Sequence, residues 1–297
     1  MSFARILTAM ITPFDARGEV GLDEARRLAS WLVERGNDGL VVCGTTGEGP
    51  TLSTDEKVAM FRTVKQAVGN GARIVANTGT NDTRSSAELT TKAEACGVDG
   101  ILAVVPYYNK PTQDGMLTHF GAIAQATTLP VFIYNIPGRS SANMQVETLL
   151  ELARRHSNIA GVKESSGDFH QFSTILAKRS ANFSFWCGDD HLFLPTLALG
   201  GDGVVGVATH LCSREFIEMR HALMAGNVAH AAKIHSSLTP LFAALFATTS
   251  PIAIKWAMNR LGFHAGVTRS PLGTMPPELM ARLEPLLQPY REKASAR

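Results

Sequence analysis

The chain has 297 residues, 45% of them apolar and 18% charged, with Gly and Pro at 26 and 14. That excludes disorder, collagen-like repeats and coiled coil, and it allows a sizeable core within one large or two ordinary domains. With 28 basic and 26 acidic side chains the net charge is +2, too small for nucleic acid or an anionic membrane to be the main partner.

The first apolar run, Ile6–Ile11, lies in an N-terminus whose apolar stretch is too short for a signal peptide, and no stretch approaches the ~18 apolar residues of a membrane span. The second run, Gly39–Cys43, is followed by Gly44-Thr-Thr-Gly-Glu48. Small residues there let backbone N–H groups and the hydroxyls of Thr45 and Thr46 approach an anion, although ordinary turns use the same residues. Ser53-Thr-Asp-Glu56 is a capping box ahead of a helix carrying Val58, Met60, Phe61 and Val64. The third run, Arg73–Asn77, leads into Thr78-Gly-Thr-Asn81, and the fourth, Gly100–Val105, into Pro106-Tyr-Tyr-Asn109.

The fifth run, Pro130–Tyr134, continues as Asn-Ile-Pro-Gly-Arg139. Tyr134 is either a proton carrier in a confined site or a tyrosine bonded to backbone at the lip of the fold. Arg139 offers a fork for a substrate carboxylate, or serves as a surface ion-pair partner. A helical stripe over Met144–His156 precedes the sixth run, Ile159–Lys163, which ends in Lys163-Glu164. A lysine in water keeps its proton near neutral pH, whereas desolvation or neighbouring cations expose an amine able to form an imine with a carbonyl substrate. The alternative is a lysine that snorkels from the strand end to pair with Glu48 or Glu164. A helix over Phe169–Lys178 leads to the seventh run, Phe183–Cys187, with Gly188-Asp-Asp190 after it, and the eighth run is Gly203–Ala208.

The starts of these runs lie 33, 34, 27, 30, 29, 24 and 20 residues apart, the length of a strand plus a crossover helix. Continuous apolar runs suit parallel strands covered on both faces. The joints Gly36-Asn-Asp-Gly39, Gly97-Val-Asp-Gly100 and Gly201-Asp-Gly203 place a glycine where a left-handed residue ends a helix. Eight such units are most simply closed into an α/β (β/α)8 TIM barrel, with an open doubly wound sheet as the alternative. Residues 1–225 form the expected catalytic barrel. Residues 226–297 form a C-terminal helical region with patterns over Val228–Phe246, Pro251–Leu261 and Pro277–Leu287.

Several motifs lead nowhere. Gly201-x-Gly203-x-x-Gly206 matches the dinucleotide fingerprint but enters a strand, where the fingerprint must follow one. His230 and His235 stand five apart, the wrong spacing for one helical face, and no metal is expected. The four cysteines never form C-x-x-C, which suits buried thiols of a reducing, cytoplasmic compartment.

Taken together, Gly44-Thr-Thr-Gly-Glu48, Pro106-Tyr-Tyr-Asn-Lys-Pro111, Tyr134-Asn-Ile-Pro-Gly-Arg139 and Gly161-Val-Lys-Glu164 resemble the dihydrodipicolinate synthase family. These belong to the pyruvate-dependent class I aldolases, a group that includes N-acetylneuraminate lyase. The likeness runs from Ala9-Met-Ile-Thr-Pro13 to Pro251-Ile-Ala-Ile-Lys-Trp256. It implies a lyase in which Lys163 forms an imine with pyruvate and Tyr134 shuttles protons. Thr45 would link Tyr134 to Tyr108, which in the family reaches in from a neighbouring subunit. Thr46 would hold the pyruvate carboxylate beside the backbone of Val205, and Arg139 would grip aspartate semialdehyde near Gly188. The implied product is 4-hydroxy-tetrahydrodipicolinate, on the route to diaminopimelate and lysine, made without metal or organic cofactor by a tetramer built as a dimer of dimers.

Arg139 favours this short anionic aldehyde over the alternative, retro-aldol cleavage of a 2-keto-3-deoxy sugar acid or sialic acid. A non-catalytic pyruvate-binding sensor is the reading from another class. One departure concerns regulation: where lysine-inhibited members carry histidine and glutamate, this chain carries Lys57 and Ser85 beside Asn81 and Tyr107, so feedback by lysine is expected to be weak or absent.

Overall fold

The computed structural model describes residues 3–295, with side chains to Arg291. Eight strands, β1 (Ile6–Ala9), β2 (Gly39–Val42), β3 (Arg73–Asn77), β4 (Gly100–Val104), β5 (Val131–Asn135), β6 (Ile159–Glu164), β7 (Ser184–Cys187) and β8 (Gly203–Gly206), pair in sequence order. β1 also pairs with β8, so every strand is parallel and the sheet closes into a (β/α)8 barrel. The open doubly wound alternative is thereby excluded.

The strands read as continuous apolar runs because alternate residues serve two separate cores. Leu7, Val41, Val75, Leu102, Phe132, Tyr134, Trp186 and Val205 fill the barrel interior. Their neighbours, including Ile6, Leu40, Val42, Ile74, Ile101 and Ile133, meet the surrounding helices. Total accessible surface is 12510 Å², close to the roughly 12,000 Å² expected of a compact monomer of this length.

Two strands, β1 and β8, stop two residues before the ends of their apolar runs, and both ends have a cause. Past Ala9, the Ile11 N–H leaves the ladder and donates to His210 Nε2 at 3.2 Å. Past Gly206, the N–H groups of Val207 and Ala208 donate to the Asp190 carboxylate. The helix Thr54–Val68 begins with the expected capping box: the Glu56 N–H donates to Ser53 Oγ at 3.2 Å, and the Ser53 N–H donates to Glu56 Oε2 at 2.7 Å. At the helix-to-strand joints Gly36 and Gly97 take the left-handed conformation, but at the third joint Gly200 does so and not Gly201. That helix, Phe193–Ala198, ends one residue sooner than the sequence pattern suggests.

From Val228 onward the regular elements described are helical: Val228–Leu245, Ile252–Arg260, Pro277–Leu283, a 3-10 turn Glu284–Leu287 and Gln288–Ser295. Among the described residues no helix is long and apolar enough to cross a membrane.

Candidate active site

Lys163 and Tyr134 face each other across the β5–β6 pairing as register partners. Period-two alternation points both side chains into the barrel, and they are only 5% and 4% exposed. Lys163 Nζ lies 4.0 Å from the centroid of the Tyr134 ring. The sequence leaves open whether Lys163 pairs with Glu48 or Glu164; neither does. Glu48 pairs with Lys255, and Glu164 accepts bonds from Asn135 Nδ2, Gln171 Nε2 and the Ser166 N–H. Burial pushes the Glu164 carboxyl up, and those donors partly offset it. Asn135 thus bridges β5 to β6 one residue beyond Tyr134 and Lys163.

The space for the lysine stem comes from Gly188, the residue just past β7. A Cβ there would overlap Ser165 Oγ and come within 2.9 Å of Lys163 Cε. Val205, buried on β8, belongs to the same interior cluster as Tyr134. Thr46 is buried and Thr45 half-buried on the turn after β2. None of the Lys163, Tyr134, Thr45 and Thr46 side chains has a hydrogen-bonding partner among the described residues, so their polar atoms are free for a ligand.

A cavity of about 210 Å³ opens beside this cluster, lined by Thr45, Lys57, Asn77, Thr80, Tyr107 and Arg139 among others. Val104 and Ile136 line it too and pack against the barrel interior, so its floor adjoins the Tyr134 layer. Arg139 stands on the short helix Pro137–Ser140, exposed and without an ion-pair partner among the described residues. It is therefore not engaged in the surface ion pair that a lone arginine usually makes. Tyr108 is not brought into this cluster by its own chain: it is 88% exposed on a loop where its backbone takes φ of 71°.

Three buried ionisable side chains beside the site escape sequence reasoning. Asp190 follows β7 and is pushed up to about 7, first by burial and then by Asp189, with the backbone N–H groups of Ala208 and Val207 and the Lys163 charge opposing. The Lys255–Glu48 pair is fully enclosed. Only the Asp-Asp pair and the Glu after the Thr-Thr turn hinted at them. No group of three or more His, Cys, Asp or Glu side chains fit to hold a metal ion occurs among the described residues.

A family model described as the dihydrodipicolinate synthetase family matches residues 2–289. A 4-hydroxy-tetrahydrodipicolinate synthase from Moorella thermoacetica is 53% identical over 92% of this chain and 93% of its own. Another, from Halalkalibacterium halodurans, is 47% identical over 97% and 98%. A dihydrodipicolinate synthase from Cyanidioschyzon merolae, solved with lysine bound, superposes with a TM-score of 0.95 at 43% identity, covering 96% of this chain and 97% of its own.

Proposed function

Because the chain belongs to the dihydrodipicolinate synthetase family, we propose how its residues divide the work of condensing pyruvate with L-aspartate 4-semialdehyde. The activity is that of a 4-hydroxy-tetrahydrodipicolinate synthase, a lyase of the Schiff-base class I aldolase type, in the diaminopimelate route to lysine. The observation that carries the assignment is the Lys163 amine, sheltered in the barrel throat 4.0 Å from the Tyr134 ring, beside a glycine that leaves its stem room.

Lys163 adds to the ketone of pyruvate and expels water, giving a protonated imine that withdraws electrons from the methyl group. Tyr134 takes up and returns the protons of these steps, a contribution of typically ~10²–10⁴-fold. Thr46 and the backbone of Val205 hold the pyruvate carboxylate. Loss of a methyl proton gives the enamine, whose carbon attacks the aldehyde of the second substrate, and Arg139 holds that substrate's carboxylate at the mouth beside Gly188. The amine of the condensed chain then displaces Lys163 and closes the ring. The lysine supplies the carbonyl activation, so the chemistry calls for no metal or organic cofactor.

Tyr108, exposed in one chain, completes a relay through Thr45 in a second copy, which makes the working unit a dimer, assembled in pairs as a tetramer. Residues 1–225 act as the catalytic barrel and 226–297 as a helical region against it. A cytoplasmic location suits four unpaired cysteines, three of them buried.

Borohydride reduction in the presence of pyruvate tests the assignment. A reduced pyruvate adduct mapping to Lys163, absent without pyruvate, is the expected result. Arg139→Ala should keep that adduct while losing ~10²-fold or more in use of the aldehyde, as expected when a charged hydrogen-bonding partner is removed. An adduct on another residue, or none, would overturn the role given to Lys163.

A further inference from the structure

We propose that Lys255, on the helix Ile252–Arg260 beyond the barrel, is a positioning residue for the reaction, holding the Thr45–Thr46 turn through Glu48. The proposal rests on the role given above to those two threonines. Lys255 is 1% exposed and Glu48 2% exposed. Lys255 Nζ donates to Glu48 Oε1 at 2.7 Å and to the Val267 carbonyl at 3.0 Å, and it lies 3.8 Å from the centroid of the Phe14 ring. The other oxygen, Glu48 Oε2, accepts from the Arg269 N–H at 2.8 Å. Both side-chain bonds of Glu48 therefore come from the C-terminal region.

The backbone of Glu48 closes the turn. Its N–H donates to the Thr45 carbonyl at 3.1 Å, and its own carbonyl accepts from the Thr51 N–H at 2.9 Å. Glu48 does this with φ of 54°, a left-handed conformation unfavourable for a residue with a Cβ and retained only when surroundings enforce it. Gly49 follows so closely under Cys43 that a Cβ there would overlap the Cys43 carbonyl oxygen. The turn is thus compressed against the end of β2, and the restraint on its far side is the Glu48 carboxylate.

An enclosed ion pair adds little to stability compared with apolar side chains of similar volume, yet breaking one partner away is strongly unfavourable. In this proposal the work of the pair is to fix the geometry of the turn. Arg269 reinforces the anchor from its other end: its guanidinium pairs with Glu56, donates to the Gly18 and Thr51 carbonyls, and stacks 4.3 Å from the Phe14 centroid. Thr45 and Thr46, given above the proton relay and the pyruvate carboxylate, stand on this turn, and Thr45 lines the cavity beside the barrel throat.

The test compares Lys255→Met, the double variant Lys255→Met with Glu48→Gln, and Lys65→Met, which breaks the ion pair to Asp99 at 2.8 Å away from the turn. Readouts are KM for pyruvate, kcat, borohydride trapping on Lys163 and Tm. Displacement of a reacting geometry by about an ångström costs up to ~10²-fold, so Lys255→Met should raise the KM for pyruvate at least ~10-fold and lower kcat. Trapping at saturating pyruvate should persist. The double variant, with no unpaired buried charge, should regain Tm while keeping the kinetic defect; it carries the test alone if Lys255→Met does not fold. Lys65→Met should lower Tm with KM unchanged. Unaltered kinetics in the double variant, or a KM that tracks Tm across all three, overturns the proposal. Failure of the unaltered protein to be trapped at Lys163 would instead overturn the functional assignment on which it rests.

Discussion

Asp190, beside the site, has its protonation displaced toward neutrality. Burial holds its carboxyl up at about 7 against an ordinary 3.8. Between those two values the folded protein keeps a proton that the unfolded chain has lost, so this group favours the folded state in acid and ceases to do so as pH rises through 7. Two buried histidines act in the opposite direction. His210 accepts the Ile11 N–H at Nε2 and bonds the Val207 carbonyl through Nδ1, and burial holds it down to about 4. His119 is likewise held down to about 4 by burial, so both cost stability as pH falls from the usual histidine range toward 4. In Asp190→Asn the histidine contributions remain and cancel in the difference. The stability advantage of the unaltered protein over that variant should therefore be larger at pH 5 than at pH 8 by about 3 kcal/mol. Urea unfolding at the two pH values measures it, and a pH-independent difference would refute the displaced titration. The sequence offered Lys163 two carboxylates as partners, Glu48 and Glu164, and both are occupied elsewhere. Which acid meets which base depends on the face each strand residue presents and on helices distant in sequence.

At the level of elements, much was legible because its causes are local. The capping box at Ser53, the left-handed Gly36 and Gly97 and the continuous apolar runs each follow from neighbours within a few residues. The short helix Pro137–Ser140 that carries Arg139 was not legible, since four residues hold no periodicity. The cavity shared by Arg139 and Lys57 forms only where the ends of several elements meet: Lys57 lies in the first turn of Thr54–Val68, and Thr80 and Tyr107 lie on the loops after β3 and β4. Burial lowers the ammonium pKa of Lys57, and no acidic side chain pairs with it among the described residues. Ser85, exposed in the first turn of Thr83–Glu94, brings no charge. A free lysine entering this cavity meets a like charge at Lys57 and lacks an acidic partner at position 85. Half-maximal inhibition by lysine should therefore need more than on the order of 1 mM. Lys57→His combined with Ser85→Glu should increase sensitivity. Tight inhibition of the unaltered enzyme in steady-state assays would contradict this account.

For the whole molecule, the decisive contacts span distances in sequence that no local pattern encodes; Lys255 and Glu48 are 207 residues apart. Association of subunits, as proposed above, is a further step of the same kind, and Tyr108 is where it would bear on catalysis. Its neighbour Tyr107 lines the cavity, and Asn109 is tied down by its Nδ2 donating to the Asn81 carbonyl at 2.7 Å. Between these two fixed residues Tyr108 is held in a left-handed backbone conformation, at about 1–2 kcal/mol, with its ring presented outward. A large aromatic side chain held in this way suits insertion into a second copy, where two-fold symmetry would return the same contact. Mixing two defective proteins tests this without disturbing the interface. Lys163→Ala subunits lack the nucleophile but keep Tyr108, and Tyr108→Phe subunits lack the hydroxyl but keep Lys163. If Tyr108 serves the partner's site, random exchange makes half the dimers hybrid, each with one complete site, and roughly a quarter of the unaltered activity should return. If Tyr108 serves its own chain, each site in a hybrid remains defective and mixing restores nothing above the average of the two parents. Exchange itself is followed by co-purification through a tag on one parent, so recovered association without recovered activity would remove Tyr108 from the neighbouring site.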